Sequence, residues 1–386
     1  MNRVITIIAF VSFAGAMFTR SVDPIIPQIA DGLGTDAATA ALLSTAYALP
    51  YAIVQPALGL LADMFNKARL MLICLAIVAA ATLAGALVTS FPLMMASRAI
   101  TGMGSGGLVP IAFAILGDLV PVNKRQVAMG RLLFAIMSGN LLGATAAGFI
   151  GDLLGWRAVF TVMAVLGFVI LAAAFYGLRG VGQRGGGFDV AVIRSGYSAI
   201  FTNPLAKFCF TAVAVEGALM YGVFPHLAAL FHDMGETRAS IPGLVIGGFA
   251  LGGVLYSIRV SLLLRLFGEN WMMRIGGLLM GLTVGFIALR APWQADVVDF
   301  AILGLGFYML HGVIQIYASE LAPAARGSAM ALHSFFYFLG QAAGPAIYTF
   351  GFGVAGVTPM LIGAGVLLIL NGVVTAHYLR RPASAT

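Results

Sequence analysis

Charged residues are scarce in this chain of 386 residues. Asp, Glu, Lys and Arg together make up 9% of it, whereas 61% is hydrophobic and the mean hydropathy is +1.00. A soluble domain carries about 25% charged residues. The shortage excludes an ordinary water-soluble fold and predicts that hydrocarbon surrounds most of the chain.

Cysteine is almost absent, and the signatures of enzymes are missing. Cys74 and Cys209 both lie in apolar runs, so they predict neither a disulfide framework nor a metal site. The sequence has no phosphate-binding glycine loop with lysine, no zinc-type histidine spacing and no nucleophile elbow. We therefore expect no metal, no cofactor, no enzymatic activity and no direct use of ATP, so that an ion gradient or the substrate's own gradient supplies the energy.

A basic patch is also missing, although the net charge is +7. The basic residues lie singly or in pairs between apolar stretches, without stacking aromatic residues, which argues against a nucleic-acid partner. If both termini are cytoplasmic, the outer side keeps only Arg157, Arg238 and Arg290. This asymmetry predicts a multi-pass protein of the bacterial inner membrane with both termini in the cytoplasm.

Long apolar stretches are what the sequence has in abundance. Each is long enough to cross the bilayer as a helix of about 20 residues. They predict an all-α membrane protein with twelve transmembrane helices, at about 4–29, 39–62, 70–89, 92–117, 126–150, 157–179, 204–230, 239–264, 272–290, 296–320, 326–350 and 356–379.

The second half of the chain repeats the first. Asp118 corresponds to Glu320, 202 residues later, and Gly139 corresponds to Gly340, 201 residues later. We therefore predict two parallel six-helix halves, 1–180 and 204–386, joined by a cytoplasmic linker at 181–203. Parallel repeats of this kind are typical of transporters in which one half rocks against the other around a central site.

The loop after the second predicted span carries a family resemblance. It contains Gly59, Asp63, Lys67 and Arg69, and resembles the glycine–aspartate–basic loop of the major facilitator superfamily. The resemblance implies the major facilitator fold and a conformational latch formed by these residues with Asp118. Asn66 stands where glycine is usual, and we expect it to adopt the left-handed turn that asparagine tolerates. The alternative is that these residues are ordinary topogenic loop charges.

Small residues at regular spacing extend the resemblance. The fourth span carries Gly102 and Gly104 after Arg98, as in the superfamily's arginine–glycine motif. The fifth span resembles the antiporter motif of its drug:proton exporters but lacks the proline, which the eleventh span has. Such spacing also occurs in unrelated helix pairs. We predict a helix-packing role for these residues: Gly102, Gly104, Gly139, Gly143, Gly148, Gly340, Gly344 and Pro345.

Two carboxylates are candidate proton-coupling groups. Glu216 lies about nine residues beyond Lys207 in the seventh span, and hence near the middle of the bilayer. A carboxylate there either exchanges protons or stays protonated as a structural hydrogen-bond donor. Asp23 lies three residues after Arg20, so the two share a helix face. Their pairing either couples proton entry to helix motion or caps a helix end.

Further polar residues are expected to line the substrate cavity. His311 and Gln315 share a face of the tenth span, and His333, Tyr337 and Gln341 form a similar stripe in the eleventh. The predicted cavity residues are Arg20, Arg98, Tyr47, Gln55, Asn140, His311 and Gln315.

The leading interpretation is a monomeric secondary active transporter that exports small apolar or amphipathic molecules in exchange for protons by alternating access. The alternative is uptake or facilitated transport of small organic anions, or lipid translocation, with Arg20 and Arg98 meeting the anionic group. Two interpretations come from other classes of protein. A membrane sensor would need a large soluble output domain, and a membrane-embedded enzyme would need a cluster of reactive residues.

Overall fold

The computed structural model describes residues 2–181 and 190–379, without the side chains of 2, 58–64, 122–127, 190–194 and 324. The described residues form helices and no strands. The α-helices are α1 (Asn2–Arg20), α2 (Ile26–Leu33), α3 (Ala37–Met64), α4 (Lys67–Leu87), α5 (Phe91–Leu119), α6 (Val122–Leu154), α7 (Trp156–Gly177), α8 (Val190–Thr202), α9 (Ala206–Tyr221), α10 (Leu227–His232), α11 (Ser240–Phe286), α12 (Trp293–Glu320), α13 (Arg326–Ala355) and α14 (Val357–Tyr378).

The described helices accommodate the twelve predicted spans. Ten stretches are long and apolar enough to cross a membrane. One of them, Ser240–Leu289, is 50 residues long and holds the eighth and ninth predicted spans, with a break in helical geometry at Gly268 (φ 67°). The eleventh predicted span corresponds to α13, which is not among the ten. The all-α fold class predicted from the sequence is confirmed.

The first and seventh spans are each broken at the same point of the repeat. Pro24 lies in a short 3-10 turn between α1 and α2, and Pro225, 201 residues later, lies in the corresponding turn between α9 and α10. Proline lacks a backbone N–H and clashes with the preceding turn of a helix, so it favours such a break. The two breaks place Asp23 and Phe224 at equivalent positions.

Helix packing follows the repeat as well. A Cβ atom on Gly139 of α6 would collide with the carbonyl oxygen of Phe13 in α1, and one on Gly340 of α13 would collide with that of Ala214 in α9. Gly139 and Gly340 are 201 residues apart in the sequence, and so are their partners Phe13 and Ala214. The absence of side chains lets these backbones come close. A second equivalent set packs in the same way: Gly102 against Tyr47, and Gly304 against Phe249.

The chain separates into two compact units. One consists of Met1–Phe188 with Pro225–Gly247, and the other of Asp189–Phe224 with Gly248–Thr386. The segment Pro225–Gly247, which the sequence analysis grouped with the second half, packs with the first unit. The predicted linker at 181–203 contains α8, while its residues 182–189 lie outside the described part of the chain.

The packing of that segment has a clear local cause. In the first unit, the carboxylate of Asp152 at the end of α6 accepts hydrogen bonds from the backbone N–H groups of Ala239 (2.6 Å) and Ser240 (2.9 Å). These N–H groups begin α11 and have no partner within that helix, so the carboxylate caps it. The hydroxyl of Thr145 donates to the carbonyl oxygen of Gly243 (3.2 Å) one turn further on.

Candidate functional site

A buried carboxylate–imidazole pair lies in the second unit. Glu216 of α9 is 0% exposed, and its Oε2 atom is 2.7 Å from Nδ1 of His311 in α12. Its other oxygen, Oε1, has no hydrogen-bond partner among the described residues. Apolar residues surround it along α9, because the helix is hydrophobic on every side. Among the described residues, His311 is therefore the hydrogen-bond partner of this carboxylate.

Aromatic rings enclose the imidazole of His311. The ring of Phe307 stacks on it with centroids 4.7 Å apart, and the rings of Tyr337 and His333 lie 4.9 Å and 5.0 Å away. His333 and Tyr337, the first two residues of the stripe predicted in the eleventh span, thus face His311. The Nε2 atom of His333 has no hydrogen-bond partner within the described part of the chain.

The aromatic surface continues away from the pair. The ring of Tyr221 lies 5.6 Å from that of Phe249, 5.7 Å from that of Phe307 and 5.8 Å from that of Tyr337. Four helices, α9, α11, α12 and α13, each contribute one of these rings. Clusters of aromatic side chains beside a few polar groups are typical of sites for apolar ligands and for cations that contact ring faces.

The Glu216–His311 pair can hold a proton without carrying a net charge. With one proton shared, it exists either as carboxylate and imidazolium or as two neutral groups. Gain or loss of a proton leaves a net charge in an apolar interior, which is unfavourable unless another charge compensates it. A second cation beside the deprotonated pair would compensate its charge as the proton does.

The first unit holds its own buried charged cluster. Nη1 of Arg20 lies 3.3 Å from Oδ2 of Asp23, and the hydroxyl of Ser44 in α3 donates to Oδ1 of Asp23 (2.7 Å). Asp23 is 1% exposed and Arg20 is 8% exposed. The pairing that the three-residue spacing suggested is present, and it lies at the break between α1 and α2.

Arg98 lies beside this cluster on α5. It is 2% exposed, and its guanidinium lies over the ring of Tyr47 at 4.5 Å from the centroid. The hydroxyl groups of Tyr47 and Thr19 are 2.9 Å apart, which connects the ring to α1. The Nε atom of Arg98 has no partner among the described residues. A buried guanidinium with an unused N–H donor can bind an anion.

The predicted latch residues are described in part. Nζ of Lys67 lies 2.6 Å from Oδ2 of Asp118, which joins the start of α4 to the end of α5. The side chain of Asp63 lies outside the described residues, and Gly59 is described only as a position in α3. Asn66 does not adopt the expected left-handed turn: its φ is −62°, and its side chain accepts a hydrogen bond from the backbone N–H of Arg69 (3.0 Å). The expectation was wrong because asparagine here caps a helix.

The remaining predicted cavity residues do not join either cluster. Gln55 is buried and donates from Nε2 to the carbonyl oxygen of Gly106 (2.9 Å), so that it links α3 to α5. Asn140 is half-buried in α6, and Gln315 is exposed one turn beyond the largely enclosed His311.

Sequence reasoning missed three carboxylates. Asp152 caps α11, as described above. Asp296 and Asp299 are three residues apart in α12, and they are 4% and 8% exposed. Oδ1 of Asp296 and Oδ2 of Asp299 lack hydrogen-bond partners among the described residues. Both fall inside the predicted tenth span, where any ionisable residue is a candidate for function. No three His, Cys, Asp or Glu side chains in the described ranges lie close enough to hold a metal ion.

Comparison with known proteins identifies the family. The sequence model of the Major Facilitator Superfamily matches residues 7–345 and 237–386. The chain is 23% identical over 352 residues to multidrug resistance protein 1 of Bacillus subtilis (strain 168), with 90% of this chain and 89% of that protein covered. It is 24% identical over 380 residues to the quinolone resistance protein NorA of Staphylococcus aureus (strain MRSA252), with 95% of each chain covered.

Solved structures agree on the fold. The chain is similar to the transporter PepTSo of the POT family, with a TM-score of 0.78, 15% identity and 98% of each chain covered. A bacterial homologue of the human lysosomal transporter Spinster, in an inward-facing and unoccupied conformation, gives a TM-score of 0.70 at 17% identity, with 97% of this chain and 94% of that chain covered. The predicted family resemblance is confirmed. The chain belongs to the Major Facilitator Superfamily and is a multi-pass membrane transporter of small molecules rather than an enzyme.

Proposed function

We propose that this transporter exports small apolar or amphipathic molecules, cationic ones above all, in exchange for protons. The Glu216–His311 pair binds the proton, and Asp23, which pairs with Arg20, is the second proton-coupling residue. The protein acts as a monomer in the inner membrane with both termini in the cytoplasm.

The observation that carries the proposal is the isolation of Glu216. Its carboxylate is fully buried, and its one described partner is a group that can itself carry a proton. When the pair loses a proton it becomes negative in an apolar surrounding. A cationic substrate restores neutrality, and so does the next proton. Because the substrate and the proton each restore neutrality alone, they compete for the pair. Alternating access of the pair to the two sides of the membrane then exchanges one for the other.

The adjoining rings and the relatives support the type of substrate. The rings of Tyr221, Phe307 and Tyr337 present faces and edges next to the Glu216–His311 pair, and such a surface suits planar or apolar molecules. The relatives are named for resistance to multiple drugs and to quinolones. Those names support export of foreign compounds by this chain.

The test uses purified protein in liposomes with an imposed pH gradient and an internal pH dye. A panel of lipophilic cations is added to wild type and to Glu216→Gln, which keeps the shape of the side chain and removes its ionisation. We expect substrate-dependent proton flux in wild type and none in the variant. Flux in Glu216→Gln at the wild-type rate would contradict proton coupling through this residue.

Glu236 provides a matched control carboxylate. The side chain of Arg238 donates to both of its oxygens (2.8 Å and 2.6 Å) and lowers the pKa of Glu236 from 4.5 to about 2. Since this pKa is below its ordinary value, the pair's contribution to stability is complete above about pH 4.5 and is lost as the pH falls through about 2. Glu236 therefore stays ionised from about pH 5 to about pH 8. We expect Glu236→Gln to leave the pH profile of transport in that range unchanged, and Glu216→Gln to flatten it.

Transport of small organic anions is the second candidate, favoured by Arg98. Its guanidinium is buried against Tyr47, and its Nε atom lacks a described partner. The same liposomes test it with small carboxylates in place of cations. Carboxylate transport that is lost in Arg98→Gln and kept in Glu216→Gln would favour this function over cation export.

A further inference from the structure

A cleft of about 340 Å³ lies in the first unit, between the start of α4 and the end of α7. Its polar groups include the side chains of Arg69 and Arg179, both of which are exposed. Its apolar wall includes Leu72, Phe175 and Leu178. The cleft thus combines two guanidinium groups with hydrocarbon, and neither Arg69 nor Arg179 belongs to the coupling or cavity clusters described above.

The charge of the cleft is uncompensated within the described chain. No described carboxylate lies within 4.0 Å of either guanidinium. The carboxylate of Asp118 is engaged by Lys67, two residues before Arg69. The guanidinium of Arg179 lies over the rings of Phe175 and Tyr176, at 4.8 Å and 4.7 Å from their centroids. With respect to the described carboxylates, both groups remain available to donate to an anion, for which paired guanidinium groups are well suited.

Exposed apolar stripes lead away from the two arginines. On α4, Ile73 and Ile77 follow Arg69 at intervals of four residues, and both are exposed. Residues at this spacing lie on one face of a helix. On α7 the exposed apolar residues that precede Arg179 at helical spacing are Val165, Phe168, Val169, Phe175 and Tyr176. An occupant with an anionic end in the cleft would therefore have hydrocarbon surfaces beside its remaining part.

We infer that this cleft binds the head group of an anionic phospholipid, with the acyl chains along the exposed faces of α4 and α7. A free phosphate would use the two guanidinium groups but none of the apolar surface. A zwitterionic lipid would bring an ammonium group towards two like charges. Basic pockets between membrane helices at the cytoplasmic side suit anionic head groups, and the charge asymmetry of the sequence predicts that side for Lys67, Arg69 and Arg179.

Native mass spectrometry of the detergent-purified full chain tests the inference. Dioleoyl phosphatidylglycerol, dioleoyl phosphatidylcholine and glycerol 3-phosphate are added separately to wild type and to Arg69→Gln/Arg179→Gln. The matched control is Arg259→Gln/Arg265→Gln, which removes the same charge from exposed arginines of α11 on the same predicted side. Arg69→Lys/Arg179→Lys keeps the charge and reports on folding.

We expect wild type, the α11 control and the lysine variant to bind phosphatidylglycerol in preference to phosphatidylcholine. The glutamine variant should bind it about 10- to 30-fold more weakly, since each basic group near the surface contributes roughly one kcal/mol. Equal binding by the glutamine variant and wild type would overturn the inference, as would equal binding of the two lipids. Glycerol 3-phosphate binding as tightly as the lipid would make this a site for a soluble anion instead.

Discussion

Oε2 of Glu216 and Nδ1 of His311 lie 2.7 Å apart although 95 residues separate them in the sequence. The contact joins α9 to α12, the helices that carry the seventh and tenth spans. Each residue alone has an ordinary structural explanation. Together they form a buried pair of titratable groups, and such pairs are candidates for a functional site.

The Glu216–His311 pair predicts that loss of one member destabilises the protein more than loss of both. His311→Leu leaves the carboxylate of Glu216 without its described hydrogen bond, and we expect this to lower the free energy of unfolding by about 1–3 kcal/mol. Glu216→Leu/His311→Leu removes both polar groups and should be less destabilised than His311→Leu alone. Thermal unfolding in detergent measures these two variants and Glu216→Leu alone. A double variant that loses the sum of the two single effects would show that the residues do not interact.

The ion pair between Lys67 and Asp118 predicts an effect on transport rather than on stability. Both side chains are partly exposed, and such pairs contribute about 0–1 kcal/mol. If the pair is part of a latch between two conformations, Lys67→Glu should reduce the transport rate while the unfolding midpoint barely moves. The exchange Lys67→Asp/Asp118→Lys should recover most of that rate. Unchanged transport in Lys67→Glu would favour topogenic loop charges.

The repeat-related glycines predict a strong position dependence within α13. A Cβ atom on Gly340 would collide with the carbonyl oxygen of Ala214, whereas one on Gly353 has nothing within 4 Å. We expect Gly340→Ala to destabilise the protein by about 1–3 kcal/mol, because the helices must separate. Gly353→Ala should be neutral or slightly stabilising, because alanine favours the helix. Similar unfolding midpoints for the two variants would contradict the close packing of α9 and α13.

The cap on α11 predicts a graded series at Asp152. Asp152→Ala removes both acceptors from the N–H groups of Ala239 and Ser240, which should cost about 0.5–2 kcal/mol. Asp152→Asn keeps one acceptor oxygen and should fall between alanine and wild type. The unfolding midpoint should be highest in wild type and lowest in Asp152→Ala. Hydrogen exchange at the start of α11 should be slowest in wild type and fastest in Asp152→Ala. An unchanged exchange rate in Asp152→Ala would mean that the cap does not hold this segment.

The sequence alone was sufficient for the fold class and the family. Twelve apolar stretches must become helices because hydrocarbon offers no partners for free backbone N–H and C=O groups. The repeat makes equivalent packing of the two halves expected, and the close approach of Gly139 to Phe13 is matched by that of Gly340 to Ala214. The spacing of Arg20 and Asp23 predicted that the two are close, and they pair, although α1 ends at Arg20 and Asp23 begins the following 3-10 turn. All of these follow from local geometry or from the solvent.

Only the tertiary structure decided which distant groups meet. Nothing local connects Glu216 to His311, Arg98 to Tyr47, or Asp152 to Ser240, since each contact depends on how separate helices pack. The same reason applies to Gln55, which links α3 to α5. The expectation about Asn66 failed for a local reason, because its side chain caps α4 by accepting from the backbone N–H of Arg69. A sequence states which side chains a helix presents. The rotation and close approach of its neighbours, controlled here by glycines, determine which of those side chains find a partner.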